Sequence, residues 1–261
     1  MAPTIYLLAK PAFDVDVFLA FLGSESLNWR RTEQATQPEE IVEAAGRICY
    51  MSFGPAQSPR NNRQYIQNLI EMGHESVLEH VSWTVLMTGV SRAFTHQLVR
   101  HRIGFAFSQL SQQYHDETEA TFVMPPGLEN VPGAVDVWEQ AIKTAMQAYS
   151  SIMNSLEDSS GSRELSKKET LRAVRSAARS ILPNATETKI IVTANARAIR
   201  HLLKTRGAIP GDIEMRRVMA ELFRTLQPEA PSLFFDFEVQ KLADDLPAVV
   251  HTPWAELSKV S

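Results

Sequence analysis

Gln97-Leu98-Val99-Arg100-His101-Arg102, continued by Ile103 to Tyr114, sets two arginines around a histidine between apolar neighbours. The segment then runs Gly104-Phe105-Ala106-Phe107 into Ser108-Gln109-Leu110-Ser111-Gln112-Gln113-Tyr114. Basic clusters are usually solvated. Apolar flanks on both sides bury part of this charge, and a partly buried arginine needs an anionic partner. The neighbouring chain offers few acids, so the stretch points to a bound anion. The polar tail after it supplies neutral donors and acceptors of the kind a uracil-like or phosphate ligand needs.

The whole chain bounds that reading. Its 261 residues suit one large domain or two small ones. Hydrophobic residues make up 44%, enough for a sizeable core, and charged residues 21%. A net charge of -4 argues against general affinity for nucleic acid or membrane. A basic site inside an acidic chain therefore favours a small anionic ligand. The single cysteine, Cys49, excludes an intrachain disulfide framework and a multi-cysteine zinc site. No run approaches the roughly 18 apolar residues that span a bilayer, and the first residues lack a signal-peptide pattern. A cytoplasmic protein is expected. There is no GxGxxG and no GxxxxGK[ST], so neither a dinucleotide fold of that kind nor a phosphate loop is supported.

Working outward, Val81–Val90 is rich in β-branched and aromatic residues and reads as a strand. Ser91 suits the N-cap of a helix over Arg92–Arg102. On that helix Arg92, His96 and Arg100 share one side at i, i+4 and i+8, where like charges repel by a few tenths of a kcal/mol per pair. Taken alone the stripe reads as solvated surface; the polar tail changes the balance. Upstream, Thr4–Leu8 reads as a strand, residues 10–37 give no clear pattern, and helices are expected over Glu39–Met51 and Asn61–Met72, the latter stopped by Gly73. His74-Glu75-Ser76-Val77-Leu78-Glu79-His80 holds two histidines and two glutamates, yet no His-Glu-x-x-His. A metal site, a polar loop opening a helix, and ligand hydrogen bonding stay open there.

Downstream, Asp116–Pro132 reads as loop. Helices follow over Ala134–Leu156 and Lys168–Ser180, with a flexible break at Asp158–Ser162. A strand covers Thr186–Ala194. Asn195 caps a helix over Ala196–Thr205, which carries a second basic stripe, Arg197, His201 and Lys204. Asp212–Leu226 is helical, Pro231–Glu238 packs on the core, and the chain after about 240 reads as a tail. Cys49, beside Ile48 and Tyr50, is expected as a buried structural thiol.

Four ordered matches carry a family resemblance. Gly73-His74-Glu75-Ser76 with Glu79-His80 is similar to GHE[ST]xxEH. Ser91-Arg92 leading to Arg100-His101-Arg102 and Ser111 is similar to RHR-x7-S. Ala178-Arg179-Ser180-Ile181-Leu182-Pro183 is similar to AR-x-x-LP. Asn195-Ala196-Arg197 is followed by His201 and Arg206. The chain in this respect resembles the flavin-dependent thymidylate synthases over roughly residues 40–240.

The resemblance implies an α+β fold of mixed helices around a small central sheet, one domain over 1–261, in a homotetramer with shared active sites. It implies FAD as cofactor, NADPH as reductant, and dUMP and 5,10-methylenetetrahydrofolate as substrates, giving dTMP. By the same resemblance Ser76, Glu79, Arg100, His101, Arg102, Gln109, Asn195, Arg197 and His201 contact FAD. Gln97, Arg100, Gln109, Ser111, Gln112, Gln113, Arg179 and Arg206 contact dUMP, with Arg92 a further candidate. Arg206 is the catalytic candidate, a cation beside the uracil ring, and Arg179 the leading phosphate ligand. No metal is implied.

Three departures fall on these motifs. Eight residues, Ile103 to Leu110, separate RHR from Ser111 where seven is usual. Gln113 stands where an arginine is usual, and Pro210 where many members have a histidine. They leave open a member that binds flavin or nucleotide with weakened turnover. A protein with structural or oligomer-forming roles only, its basic stripes solvated, is the alternative from another class. Uptake of flavin separates the two.

Overall fold

The computed structural model describes residues 1–159, 166–253 and 256. In order, the regular elements are β1 (Thr4–Ala9), α1 (Val15–Ser24), α2 (Gln37–Ile48), α3 (Asn62–Glu71), β2 (Ser82–Ser91), α4 (Arg92–Leu98) and β3 (Phe105–Gln109). They continue with α5 (Ala134–Ser159), α6 (Lys167–Ala178), β4 (Glu187–Asn195), α7 (Ala196–Arg206), α8 (Ile213–Leu226), β5 (Phe237–Lys241) and β6 (Pro247–His251). Four strands form one sheet of order β1-β2-β4-β3, and β5 and β6 form an antiparallel hairpin. The fold class is α+β, as expected.

Two compact units emerge. The first comprises Met1–Thr4, Met87–Arg100 and Ser108–Ile190; the second comprises Ile5–Leu86, His101–Phe107 and Ile191–Ser261. Each unit has apolar packing of its own. In the first, Tyr149 and Met153 of α5 bury against Val174 and Ala178 of α6. In the second, α8 packs on α7 and β6, with Val218, Met219 and Leu222 buried alongside Leu202, Leu203 and Val249. An aromatic cluster in the same unit joins Leu22, Trp29 and Phe53 to Phe13 and Phe18.

The helix starts follow their caps. Asn61, Ser91, Asn195 and Asp212 each accept a backbone N–H from the first turn of the helix they precede, which satisfies an otherwise orphan donor. The acids of α2 are held by buried contacts. Glu39 accepts from the backbone of Thr36 and of Ser232, at 2.9 and 2.6 Å. Glu43 pairs with the fully buried Arg47 at 2.7 Å and also takes Trp29 Nε1 and Asn62 Nδ2.

Several expectations need correction. The unclear region 10–37 contains α1, nucleated by Asp14, whose side chain accepts from Val17 N. The helix expected to reach Arg102 stops at Leu98. The next residues turn toward Gly104, whose φ of +75° and carbonyl bond to Asn195 N (3.1 Å) no helix can accommodate. Arg100 therefore leaves the stripe shared with Arg92 and His96. The helix expected to run to Met51 ends at Ile48, so Cys49 is an exposed cap residue and not a buried thiol. His74–His80 is a short 3₁₀ segment from Glu75 to His80. Where a tail was expected after about 240, the hairpin continues to His251. Of the break expected at 158–162, residues 160–162 lie outside the described residues. Residues beyond Pro253, except Glu256, lie outside them too.

Candidate active site

The two expected sets do not separate by unit: Arg100 and Gln109 of the flavin set lie with the nucleotide residues, and Arg206 of the nucleotide set lies with the flavin residues. Gln97, Gln109, Ser111, Gln112, Gln113 and Arg179 lie in the first unit, with Arg92 and Arg100. Ser76, Glu79, His101, Arg102, Asn195, Arg197, His201 and Arg206 lie in the second. The chain passes from the first to the second between Arg100 and His101.

In the first unit, Ser91 caps α4, and the backbone N–H groups of Arg92 and Ala93 donate to Thr186 O and Asn184 O at 3.0 and 2.9 Å. This fixes the start of the helix beside the end of the AR-x-x-LP segment. The Arg92 side chain turns inward and Nη2 donates to Leu110 O at 2.7 Å, while its Nε is buried without a partner. Burial, together with the like charge of Arg179, lowers the Arg92 pKa against the opposing pull of Glu117. Gln112 is 7% exposed, and its side chain lies against the buried Glu117 carboxylate. Gln109 is already engaged, its Nε2 donating to Thr95 and Thr188 hydroxyls at 3.0 and 3.3 Å. Arg175 Nη1 donates to Tyr114 O at 2.7 Å, and Arg172 stacks over the Tyr114 ring. These two arginines secure the segment that carries Gln112 and Gln113.

In the second unit, His101 lies with its ring 6.1 Å from Phe105 and 6.2 Å from His201. Its Nε2 accepts from Arg206 Nε at 3.4 Å. Burial first, then Arg206 and His201, push the imidazole below its ordinary value near 6.5, so it is neutral at pH 7. Among the described residues Arg206 has no carboxylate partner, and neither has Arg102. Arg197 is tied to acids, 2.6 Å from Glu79 and 3.9 Å from Glu75. Glu79 thus acts on Arg197 first, and Ser76 is exposed beside it. A Cβ at Gly104 would stand 2.8 Å from both Ala198 Cβ and Asn195 Nδ2. Glycine is what lets this turn lie on the first turn of α7, with Asn195 holding Ala198 N at 2.9 Å.

Among the described residues no group of three or more His, Cys, Asp or Glu side chains is placed to hold a metal ion. No described helix is long and apolar enough to cross a membrane. Sequence reading missed Glu117, Thr95, Thr188 and Arg175, which line or brace the first cluster. Their elements carry no motif, and only the fold brings them together.

Each unit thus carries its own group of cationic side chains, Arg92 and Arg179 in the first and Arg102, Arg197 and Arg206 in the second, a chemistry suited to anions. Comparison with known proteins agrees. The family profile described as thymidylate synthase complementing protein matches residues 32–232. A protein of Mycolicibacterium gilvum (strain PYR-GCK), named flavin-dependent thymidylate synthase, is 43% identical over 208 residues, covering 78% of this chain and 81% of that protein. One of the same name from Mycobacterium tuberculosis (strain ATCC 25177 / H37Ra) is 41% identical over 225 residues, covering 86% and 88%. The chain belongs to the flavin-dependent thymidylate synthase family.

Proposed function

We propose that the chain catalyses the reductive methylation of dUMP to dTMP, with 5,10-methylenetetrahydrofolate as carbon donor and NADPH-reduced FAD as hydride source. The observation that carries this reading is a buried donor without a partner, Arg92 Nε, in one unit with Arg179. A buried polar group left unpaired costs about 1–3 kcal/mol. Phosphate and uracil oxygens are acceptors that relieve that cost. Arg179 supplies charge to the phosphate, and Ser111, Gln112 and Gln113 supply neutral hydrogen bonds. Gln97 and Arg100 complete the proposed set. Gln109 braces it through Thr95 and Thr188.

Arg206 acts on the ring. With no carboxylate to neutralise it among the described residues, its charge is available to stabilise negative charge on the uracil as C5 becomes nucleophilic. Neutral His101 accepts from Nε and so aims the guanidinium. A proton on His101 would abolish that bond. Cys49, exposed at the end of α2, has no part in activating the base, because Arg206 does it electrostatically.

The second cluster fits a flavin dinucleotide. Arg102 offers charge for a diphosphate, Arg197 does so on exchanging Glu79 for it, His101 and His201 offer flat edges, and the turn at Gly104 leaves backbone close to the start of α7. Ser76, Glu79, Arg100, Gln109 and Asn195 belong to the same proposed set. FAD, when bound, supplies the hydride that converts the transferred carbon to a methyl group.

The domain assignment belongs to this proposal. The chain crosses between the two units five times, at residues 4/5, 86/87, 100/101, 107/108 and 190/191, which supports one domain over 1–261 and not two separable ones. A homotetramer in the cytoplasm completes it. Flavin-loaded protein given dUMP, 5,10-methylenetetrahydrofolate and NADPH should form dTMP. Tight flavin and dUMP binding with no dTMP would instead support the weakened member to which Gln113 and Pro210 point.

A further inference from the structure

Helix α6 carries three arginines on one side, Arg172, Arg175 and Arg179, at i, i+3 and i+7. Arg179 is the C-cap and keeps helical backbone angles (φ −59°, ψ −15°), so the stripe runs to the end of the helix. Like charges at these spacings repel. Two of the three are spent on one loop. Arg175 Nη1 donates to Tyr114 O at 2.7 Å, and Nη2 lies 3.6 Å from Asp116 Oδ2. The Arg172 guanidinium lies over the Tyr114 ring, 5.6 Å from its centroid. The third, Arg179, is the leading phosphate ligand of the proposed reaction.

The loop is folded on Ser111. Ser111 O accepts Tyr114 N and His115 N at 3.1 and 2.9 Å, and Ser111 Oγ accepts Gln113 N at 3.3 Å. Its far end is fixed to the core, where Glu117 N donates to the hydroxyl of the fully buried Tyr149 at 3.3 Å. Tyr149 packs on Val174 and Ala178 of the same α6. Asp116 Oδ1 accepts Thr118 N at 2.9 Å, and Oδ2 faces Arg175. Thr118 and then Arg175, against the opposing effect of burial, hold the Asp116 carboxyl below the usual carboxylate range.

Arg175 thus grips the middle of the loop from outside it, and does so at a backbone carbonyl. Without that grip the turn keeps its internal bonds but loses its register against α6. Arg175 and Arg179 stand one turn apart, so a loop clamped by the first presents Ser111 and Gln113 in a set register with the second. A ligand held by both is sensitive to that register, because a misplacement of about 1 Å can cost up to about 10²-fold in rate. Lysine could not replace the clamp: a guanidinium fork reaches a carbonyl and a carboxylate together, whereas an ammonium is a point charge on a flexible stem.

We propose that Arg175 is a positioning residue of the nucleotide site: from α6 it clamps the Tyr114 carbonyl and Asp116, and so holds the turn over residues 111–114 in register with Arg179. The inference rests on the dUMP reading above. It separates two roles among the arginines of α6, one for the phosphate and one for the loop that meets it. The clamp touches none of the residues proposed for the flavin, so its loss falls on dUMP alone.

The test is calorimetric titration of flavin-loaded protein with dUMP, with steady-state kinetics and amide hydrogen exchange on the same samples. Arg175→Lys should weaken dUMP binding about tenfold, short of the limit for misplacement. The KM for dUMP should rise in step, with kcat at saturating dUMP within about twofold of wild type and flavin content unchanged. The amides of Tyr114 and His115 should exchange faster in the variant. Asp116→Asn keeps an acceptor for Thr118 and removes only the charge facing Arg175, so it should act in the same direction by a smaller factor. The double variant should be no worse than Arg175→Lys alone. Wild-type affinity in Arg175→Lys overturns the proposal, since a charge alone would then suffice. So does weakened binding with the loop amides as protected as in the wild type, or additive effects in the double variant. If Arg175→Lys fails to fold, unchanged dUMP affinity in Asp116→Asn overturns the proposal and weakened affinity with faster loop exchange upholds it. No dUMP binding by wild-type protein overturns the substrate reading itself, which an inert Arg175 with intact binding does not.

Discussion

At the scale of single residues, the account turns on how each charge is neutralised. The contact recorded for Arg206 is a neutral imidazole and not a carboxylate, so its charge is not offset there. Arg206→Ala should lower dTMP formation at least tenfold, equivalent to about 1.4 kcal/mol of transition-state stabilisation, with flavin still bound. Unchanged turnover would remove Arg206 from the chemistry. Cys49→Ala should retain activity, and a folded, flavin-loaded but inactive Cys49 variant would restore a thiol nucleophile. His101 sets a pH limit. Its folded pKa is depressed, so the neutral side chain contributes stability above its ordinary value near 6.5, and that contribution is lost as pH falls through the lowered folded value. Denaturant melts between pH 7 and pH 5 should therefore show a smaller acid loss for His101→Gln than for the wild type. At this scale the sequence was informative about types and poor about burial. Arg100-His101-Arg102 pointed to the proposed anion site. Cys49 misled, because its exposure depends on α2 ending three residues before the expected Met51.

At the scale of elements, starts were legible and ends were not. Asn61, Ser91, Asn195 and Asp212 announce helices because a short polar side chain satisfies first-turn N–H groups wherever it occurs. The end of α4 depends on a distant event, the bond from Asn195 N to Gly104 O, which no local pattern encodes. The β5–β6 hairpin escaped notice for a related reason. Its strands gain burial only by packing β6 on α7 and α8, where a Cβ at Gly207 would meet Val249 O at 2.6 Å. Two substitutions test the turn that supports the proposed flavin cluster. Gly104→Ala forces a left-handed residue, which costs about 1–2 kcal/mol, and sets a methyl against Ala198 and Asn195. Flavin retention should fall with stability. Asn195→Ala should cost about 1 kcal/mol through loss of the α7 cap. Wild-type melting in both variants would show that the turn does not rest on α7.

For the whole molecule, stability and assembly are separable from chemistry. Arg200 of α7 makes a bidentate pair with Asp236 at 2.7 Å, and His251 of β6 adds a third contact at 3.1 Å. Arg200 and Asp236 are both buried. Asp236→Ala leaves a buried guanidinium uncompensated and should cost about 3–5 kcal/mol, read as a lower denaturation midpoint; a midpoint within error of wild type would mean that water reaches the pair. The assembly reading predicts the mass of four chains in solution, and a monomer that turns over would contradict shared sites. The central claim is that this chain couples a flavin to dUMP, and one measurement addresses it most directly. Purified protein, assayed for bound FAD and for NADPH oxidation with and without dUMP, should be yellow and should oxidise NADPH faster when dUMP is present. Protein that takes up no FAD, or whose NADPH oxidation ignores dUMP, would contradict the account.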